Sequence, residues 1–171
     1  MLNTGLGLIT QFGSYGTGNG QFQYPYGIVA YSNAIFVQDA TGRAQWFNTS
    51  YSYVSTIQTG GLTAIAFDPS DGSIYVGTNA KLRKVNSSGS LLWEISASSP
   101  SSIVIDVDGS VYFTESSSPV IRGVKPYNGA NLSGRYSSYY GNVRGLLFSP
   151  DATKTNLYAA TYSANGIDIL D

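Results

Sequence analysis

The sequence predicts an all-β chain built of about four repeated blades, and three observations carry that reading. Four short apolar segments match one another: GIVA at 27–30, AIAF at 64–67, SIVI at 102–105 and GLLF at 145–148. Each is followed by a turn and a second apolar run: AIFV at 34–37, SIYV at 73–76, SVYF at 110–113 and NLYA at 156–159. The repeat recurs at about 40 residues, the spacing of propeller blades and other strand repeats. No segment carries a helical period, and Gly and Pro punctuate the chain throughout.

Each element has a local cause. Val, Ile, Tyr and Phe favour the pleated backbone, which makes the apolar runs strands. Ser32 with Asn33, Asp71 with Gly72 and Asp108 with Gly109 supply the positive φ that tight hairpins require. The runs are apolar on consecutive residues, so both faces of these strands are expected to be covered. A third strand follows at 43–47, 82–85, 120–124 and 167–170. A fourth is expected at 51–58, 91–95 and 134–140. Sheets that are apolar on both faces must stack on neighbours, and a β-propeller of four-stranded antiparallel blades does this. The approximate repeats are 13–58, 59–96, 97–140 and 141–171, within a single domain. The last lacks an outer strand, and residues 6–12 are expected to complete it from the other end of the chain.

The first repeat adds a more specific pattern. Phe12 and Gly13 are followed by Gly16, then Gly20-Gln21-Phe22, Pro25 and the strand from Gly27 to Ala30. Val37, Gln38 and Asp39, then Gly42 and Arg43, then Gln45, Trp46 and Phe47 complete it. Over this stretch the chain resembles the NHL family of β-propeller repeats; later repeats keep only the strand pattern. The resemblance implies that Asp39 and Arg43 form a structural hydrogen-bonded pair and that residues 13–20 are an inter-strand loop. Closed rings of that family commonly contain more blades than this chain supplies. Three alternatives follow: a small closed ring, a ring shared between two chains, or exchange of the N-terminal strand between subunits.

Composition narrows function. Histidine and cysteine are both absent, which removes Ser-His-Asp, Cys-His and His-metal chemistries and any disulfide framework. Charged residues are 11% of the 171-residue chain, with a net charge of −1, against roughly 25% in an average domain. Nine basic residues against ten acidic ones argue against nucleic acid as a partner. No run of apolar residues is long enough to span a membrane as a helix. The first nine residues lack a basic n-region and a long apolar core, so they do not read as a signal peptide, which leaves two alternatives: a protein that stays inside the cell, or one whose leader has been removed. A nearly uncharged surface rich in hydroxyl and amide groups does little to keep copies of the chain apart.

The candidate sites are few. The glycine-rich loop at 13–20 lacks the lysine and following helix of a phosphate loop. Asp68, Asp71, Asp106 and Asp108 are expected to make hairpin turns rather than hold calcium. Glu94 and Glu115 could form a carboxylate pair only if the fold brought them together. Asn48, Asn86 and Asn131 head N-glycosylation acceptor triplets. Fourteen tyrosines, with Tyr26, Tyr136, Tyr139 and Tyr140 foremost, offer interface or ligand contacts. No catalytic, metal or cofactor-binding residue is identified. The expected function is a non-catalytic interaction protein that self-assembles at an extracellular or cell-surface location. A glycan- or peptide-binding module is second. A metal-dependent hydrolase or lyase, an activity found among propellers of this broad type, is third.

Overall fold

The computed structural model describes residues 8–31, 33–58, 60–116, 118–132, 136–137, 143–149, 156–162 and 166–170. Among them the regular structure is entirely β. Two short strands, β1 (Ser14–Tyr15) and β2 (Gln21–Phe22), pair in parallel ahead of the first blade. The first blade is β3 (Pro25–Tyr31), β4 (Ala34–Asp39), β5 (Arg43–Asn48) and β6 (Tyr53–Gln58). The second is β7 (Leu62–Phe67), β8 (Ile74–Thr78), β9 (Lys81–Val85) and β10 (Leu91–Ser96). The third is β11 (Pro100–Ile105), β12 (Val111–Glu115), β13 (Val120–Val124) and β14 (Tyr136–Ser137). The last sheet has three strands, β15 (Val143–Phe148), β16 (Leu157–Thr161) and β17 (Gly166–Leu170). Strands run in chain order across each blade and pair antiparallel, as hairpin-linked sequences should.

The repeat extends to an irregularity the sequence did not announce. The innermost pair of every blade shifts register at the same point: Pro25/Gly27, Leu62/Ala64, Pro100/Ser102 and Val143/Gly145. A bulge there bends and further twists the inner strand. Its recurrence in all four sheets shows one unit repeated. The predicted Asp-Gly turns are also present, with φ of +74° at Gly72 and +82° at Gly109. Gly42 is required by packing as well as by its φ of +78°. A Cβ there would lie 2.7 Å from the backbone nitrogen of Gly61.

Stacking follows the period of two along each strand. Val29 of β3 and Phe36 of β4 face forward, onto Ile65, Phe67, Ile74 and Val76 of the second blade. Ala66 and Tyr75 face forward from the second blade onto Ile103, Ile105, Val111 and Phe113 of the third. Val104 and Tyr112 face forward from the third onto Leu146, Phe148, Leu157 and Ala159 of the last. The aromatic side chains interlock, with Phe36 6.2 Å from Phe67 and Tyr112 5.6 Å from Phe148. Tyr75, Phe36, Phe47 and Phe113 are fully buried. Each side chain of that size contributes about 1.5–3 kcal/mol on burial.

One expectation is corrected. Residues 8–12 form no strand, and the last sheet has no fourth strand among the described residues. Phe12 instead stacks on Tyr51, with ring centroids 5.1 Å apart, and packs against Phe47 at 5.1 Å and Phe22 at 6.3 Å. The rings of Phe22, Phe47 and Tyr51 give Phe12 three aromatic contacts, each worth about 0.5–1.5 kcal/mol beyond the area buried. Leu6 and Gly7 lie outside the described residues, as do Ser32 and most of the expected strand at 134–140.

Candidate functional site

The residues of the first-repeat signature build one compact node. Asp39 ends β4 and Arg43 opens β5, so the hairpin turn brings them face to face. Arg43 Nη2 lies 3.4 Å from Asp39 Oδ2, and both side chains are buried. The guanidinium also donates to the carbonyls of Thr17 at 2.5 Å and Gln21 at 2.7 Å. Gln45 Nε2 donates to the Gln21 carbonyl at 2.6 Å, and its Oε1 accepts from the Gly20 N–H at 2.8 Å. Asp39 Oδ2 accepts from the Gln23 N–H, and Oδ1 accepts from the Thr41 N–H and hydroxyl. Burial works to raise the Asp39 carboxyl, but the bonds from Thr41 and Gln23 and the Arg43 charge outweigh it and hold it below the usual range. The node clamps the glycine-rich loop onto the outer half of the first blade. The pair expected from the resemblance is therefore present, and it carries a loop as well as a turn.

The inner half of that same face is covered at Val37 and exposed at Ile28. Ile28 sits in register with Val37 and Gln45 across β3, β4 and β5, and is 69% exposed. Beside it Phe12, Phe22, Pro25, Tyr26, Gly27, Ile28 and Val37 line a recess of about 420 Å³. Tyr26, which lines the recess, donates its hydroxyl to the Leu62 carbonyl of the next blade at 2.6 Å. Burial and the Asp39 charge raise the phenol above its ordinary value.

At the other end of the arc the last blade shows the opposite face. Leu147, Tyr158 and Ile169 form one row across β15, β16 and β17, and Gly145, Ala160 and Ile167 form the next. Leu147, Ile167 and Ile169 are between 61% and 70% exposed. Tyr162 at the strand end is also exposed, with Arg144 5.3 Å above its ring. Neighbouring exposed aliphatics on one sheet face are uncommon, and they mark a contact surface more often than scattered ones do. The apolar character of these strands was legible, but reading which of their residues lack a covering blade required the stacking order.

The other sequence candidates resolve individually. Asp68 Oδ1 accepts from the Ser70 N–H and hydroxyl, and Asp71 Oδ1 from those of Ser73. Asp106 and Asp108 accept from Val107 and Ser110 in the same way. These carboxylates are engaged in turns. Glu94 pairs with Lys81 and Arg83 on its own blade, and Glu115 pairs with Arg122 on the next. The two glutamates are thus held by different partners. The Lys81 contact, reinforced by Arg83, keeps the Glu94 carboxyl below its usual range. Among the described residues no group of three or more Asp, Glu, His or Cys could hold a metal.

Asn48 and Asn86 cap the tight turns after β5 and β9. Asn48 Oδ1 accepts from the N–H groups of Ser50 and Ser52, and Asn86 Oδ1 from those of Ser88 and Ser90. Asn131 is exposed and accepts from Arg122 at 3.3 Å. Tyr136 lies in β14, opposite Ile121. Tyr139 and Tyr140 lie outside the described residues.

No protein-family model matches the chain, and no curated protein does. Solved structures do. BamB from Moraxella catarrhalis superposes with a TM-score of 0.67 at 22% identity, over 85% of this chain and 45% of its own. The Pan2 WD40 domain of Neurospora crassa superposes with a TM-score of 0.69 at 13% identity, over 87% and 47%. The computationally designed Ika4 protein gives 0.73 at 12% identity, over 95% and 98%. A Bacteroides caccae protein of unknown function gives 0.61 at 14% identity, over 81% and 53%. The chain thus spans about half the length of the three natural proteins. Identities this low carry the fold alone, and that fold is the β-propeller.

Proposed function

We propose that this protein is a non-catalytic, NHL-like propeller that works by contact, self-associating in an extracellular or cell-surface structure. The observation that supports it best is the row of exposed aliphatics on the last blade, Leu147, Ile167 and Ile169, together with exposed Ile28 on the first. Leaving Leu147, Ile167 and Ile169 in water forgoes roughly 25 cal/mol for each Å² of apolar surface they could bury. A charge of −1 over 171 residues offers little repulsion to oppose association. The sequons at Asn48 and Asn86 sit on turns whose asparagine oxygens are bonded to backbone, an arrangement that leaves each amide nitrogen free of those bonds. Such turns suit a secreted or surface route. Light scattering on the purified chain is expected to give a mass above 18.2 kDa, rising with protein concentration and little changed by salt. A monomer at every concentration, with single particles in negative stain, would refute self-association.

The recess beside Ile28 supports a second reading, a module for a glycan or an extended peptide. Aromatic rings with one polar edge stack on sugar and proline faces alike. Under this reading Tyr24→Ala, at an exposed position beside the recess, weakens a glycan-array signal at least tenfold while leaving the melting temperature unchanged. An array with no signal for the parent protein discards it.

A further inference from the structure

The three seams between blades share one pattern, and the two end faces are the unmatched halves of a fourth. The forward half of each seam carries an apolar residue at the centre of the inner strand and an aromatic residue on the next: Val29 with Phe36, Ala66 with Tyr75, Val104 with Tyr112. In the last blade the same two positions are Leu147 and Tyr158, which pair across β15 and β16. The rear half carries the flanking apolar residues, such as Ile103 with Val111 and Phe113, or Leu146 with Leu157 and Ala159. In the first blade these positions are Ile28, which is exposed, Ile35, which is half-buried, and Val37, which is buried and lines the recess with Phe12 and Phe22. Both halves of a seam exist, and among the described residues no hydrophobic cluster joins them.

We infer that the forward face of the last blade docks on the rear face of the first blade of a second copy, so that two chains of four blades each close one ring of eight. The inference rests on the self-association proposed above and names its geometry. Closure within one chain is disfavoured by exposure. Ile28 and Leu147 both line the central cleft of about 370 Å³, yet they remain 69% and 64% exposed. Two copies suffice because one copy follows the course of 45–47% of the two larger propeller chains it superposes on. The contact is head to tail, and a two-fold axis makes both junctions identical, so the assembly closes and does not grow. Neither face presents a charge at its centre; Arg144 lies toward the strand end beside Tyr162.

The test combines mass measurement with crosslinking. The parent chain is expected at twice 18.2 kDa. Ile28→Lys and Leu147→Lys each place a charge on the inner strand of a different half of the same seam. Each is expected to weaken the two-chain species by about a hundredfold or more while leaving the far-ultraviolet circular dichroism unchanged. The chain has no cysteine, so an Ile28→Cys/Leu147→Cys double variant can be read without background using a short bis-maleimide. It is expected to yield a covalent two-chain product. A crosslink within one chain overturns the inference. So does a mass unchanged in both lysine variants, which would leave self-association standing by another surface. Loss of association in one lysine variant only would indicate like-to-like pairing and also overturn it. A monomeric parent chain removes the proposed function and the inference together.

Discussion

Arg43→Ala is expected to destabilise the fold by about 3 kcal/mol and to release the loop between β1 and β2. Removing one member of a buried ion pair leaves the other charge uncompensated, which typically costs about 3–5 kcal/mol. The lower end applies because Asp39 keeps its bonds from Thr41 and Gln23. The carbonyls of Thr17 and Gln21 lose their guanidinium donor at the same time. Two readouts separate the effects: urea unfolding reports the global loss, and limited proteolysis reports cleavage between Gly16 and Gly20. Arg43→Lys keeps the charge but not the planar fork that reaches three acceptors, so it is expected to fall between the two. An unchanged urea midpoint in Arg43→Ala would show that the node is ornamental.

The same node sets a pH dependence. The Asp39 carboxyl titrates below its unfolded value, which lies near about 4. Its contribution is therefore fully present above that value and is lost as pH falls through the folded one. The parent protein is expected to lose urea stability as pH drops below about 4. The Arg43→Ala variant should lose less over that interval, because one cause of the depression is gone. Asp71 is depressed in the same direction: burial raises it, but bonds from Lys84 and Ser73 more than offset this. Some acid sensitivity is thus expected to survive in the variant.

Lys84→Ala is the second large effect, expected at about 3–5 kcal/mol, or a fall of about 10 °C in melting temperature. Lys84 faces forward from β9 with its ammonium buried between the second and third blades. It bonds Asp71 Oδ2 at 2.7 Å and the Pro126 carbonyl at 3.0 Å, and lies 4.0 Å from Asp68 Oδ2. That Asp68 oxygen is buried without a hydrogen-bond partner, so Lys84 is what compensates its charge. The ammonium also sits 5.2 Å from the centre of the Tyr75 ring, whose hydroxyl is held protonated by burial and by Asp68 and Asp71. Lys84→Met retains the aliphatic stem, so its difference from Lys84→Ala separates packing from charge. A melting temperature within a degree or two of the parent in both variants would show that the carboxylates find water instead.

How far the site could be read in the sequence differs from feature to feature. The Asp39–Arg43 pair was readable because its partners lie four residues apart across one turn, and a hairpin alone sets their meeting. What Arg43 does with its remaining donors was not readable, since Thr17 and Gln21 reach it only once the loop folds back. Lys84 gave no signal at all. A lysine in a strand with Lys81 and Arg83 reads as solvent-facing until the third blade covers the face it shares with Leu82. Glu94 and Glu115 looked alike in sequence, and only the pairing of strands gave each its own cation.

The strands, their order within each blade and the repeat itself were settled locally. β-branched and aromatic runs with Asp-Gly turns leave the backbone few other choices, and neighbouring hairpins pair over short loops. The course of the N-terminal segment and the exposure of the end blades were decided by tertiary structure. Both depend on which distant surfaces compete for the same apolar groups. Phe12 had the edge of the last blade and the aromatic cluster of the first available to it, and contact with Phe22, Phe47 and Tyr51 prevailed. Leu147 and Ile28 were apolar strand residues like any others in the repeat. Only the stacking of the blades left these two more than half exposed.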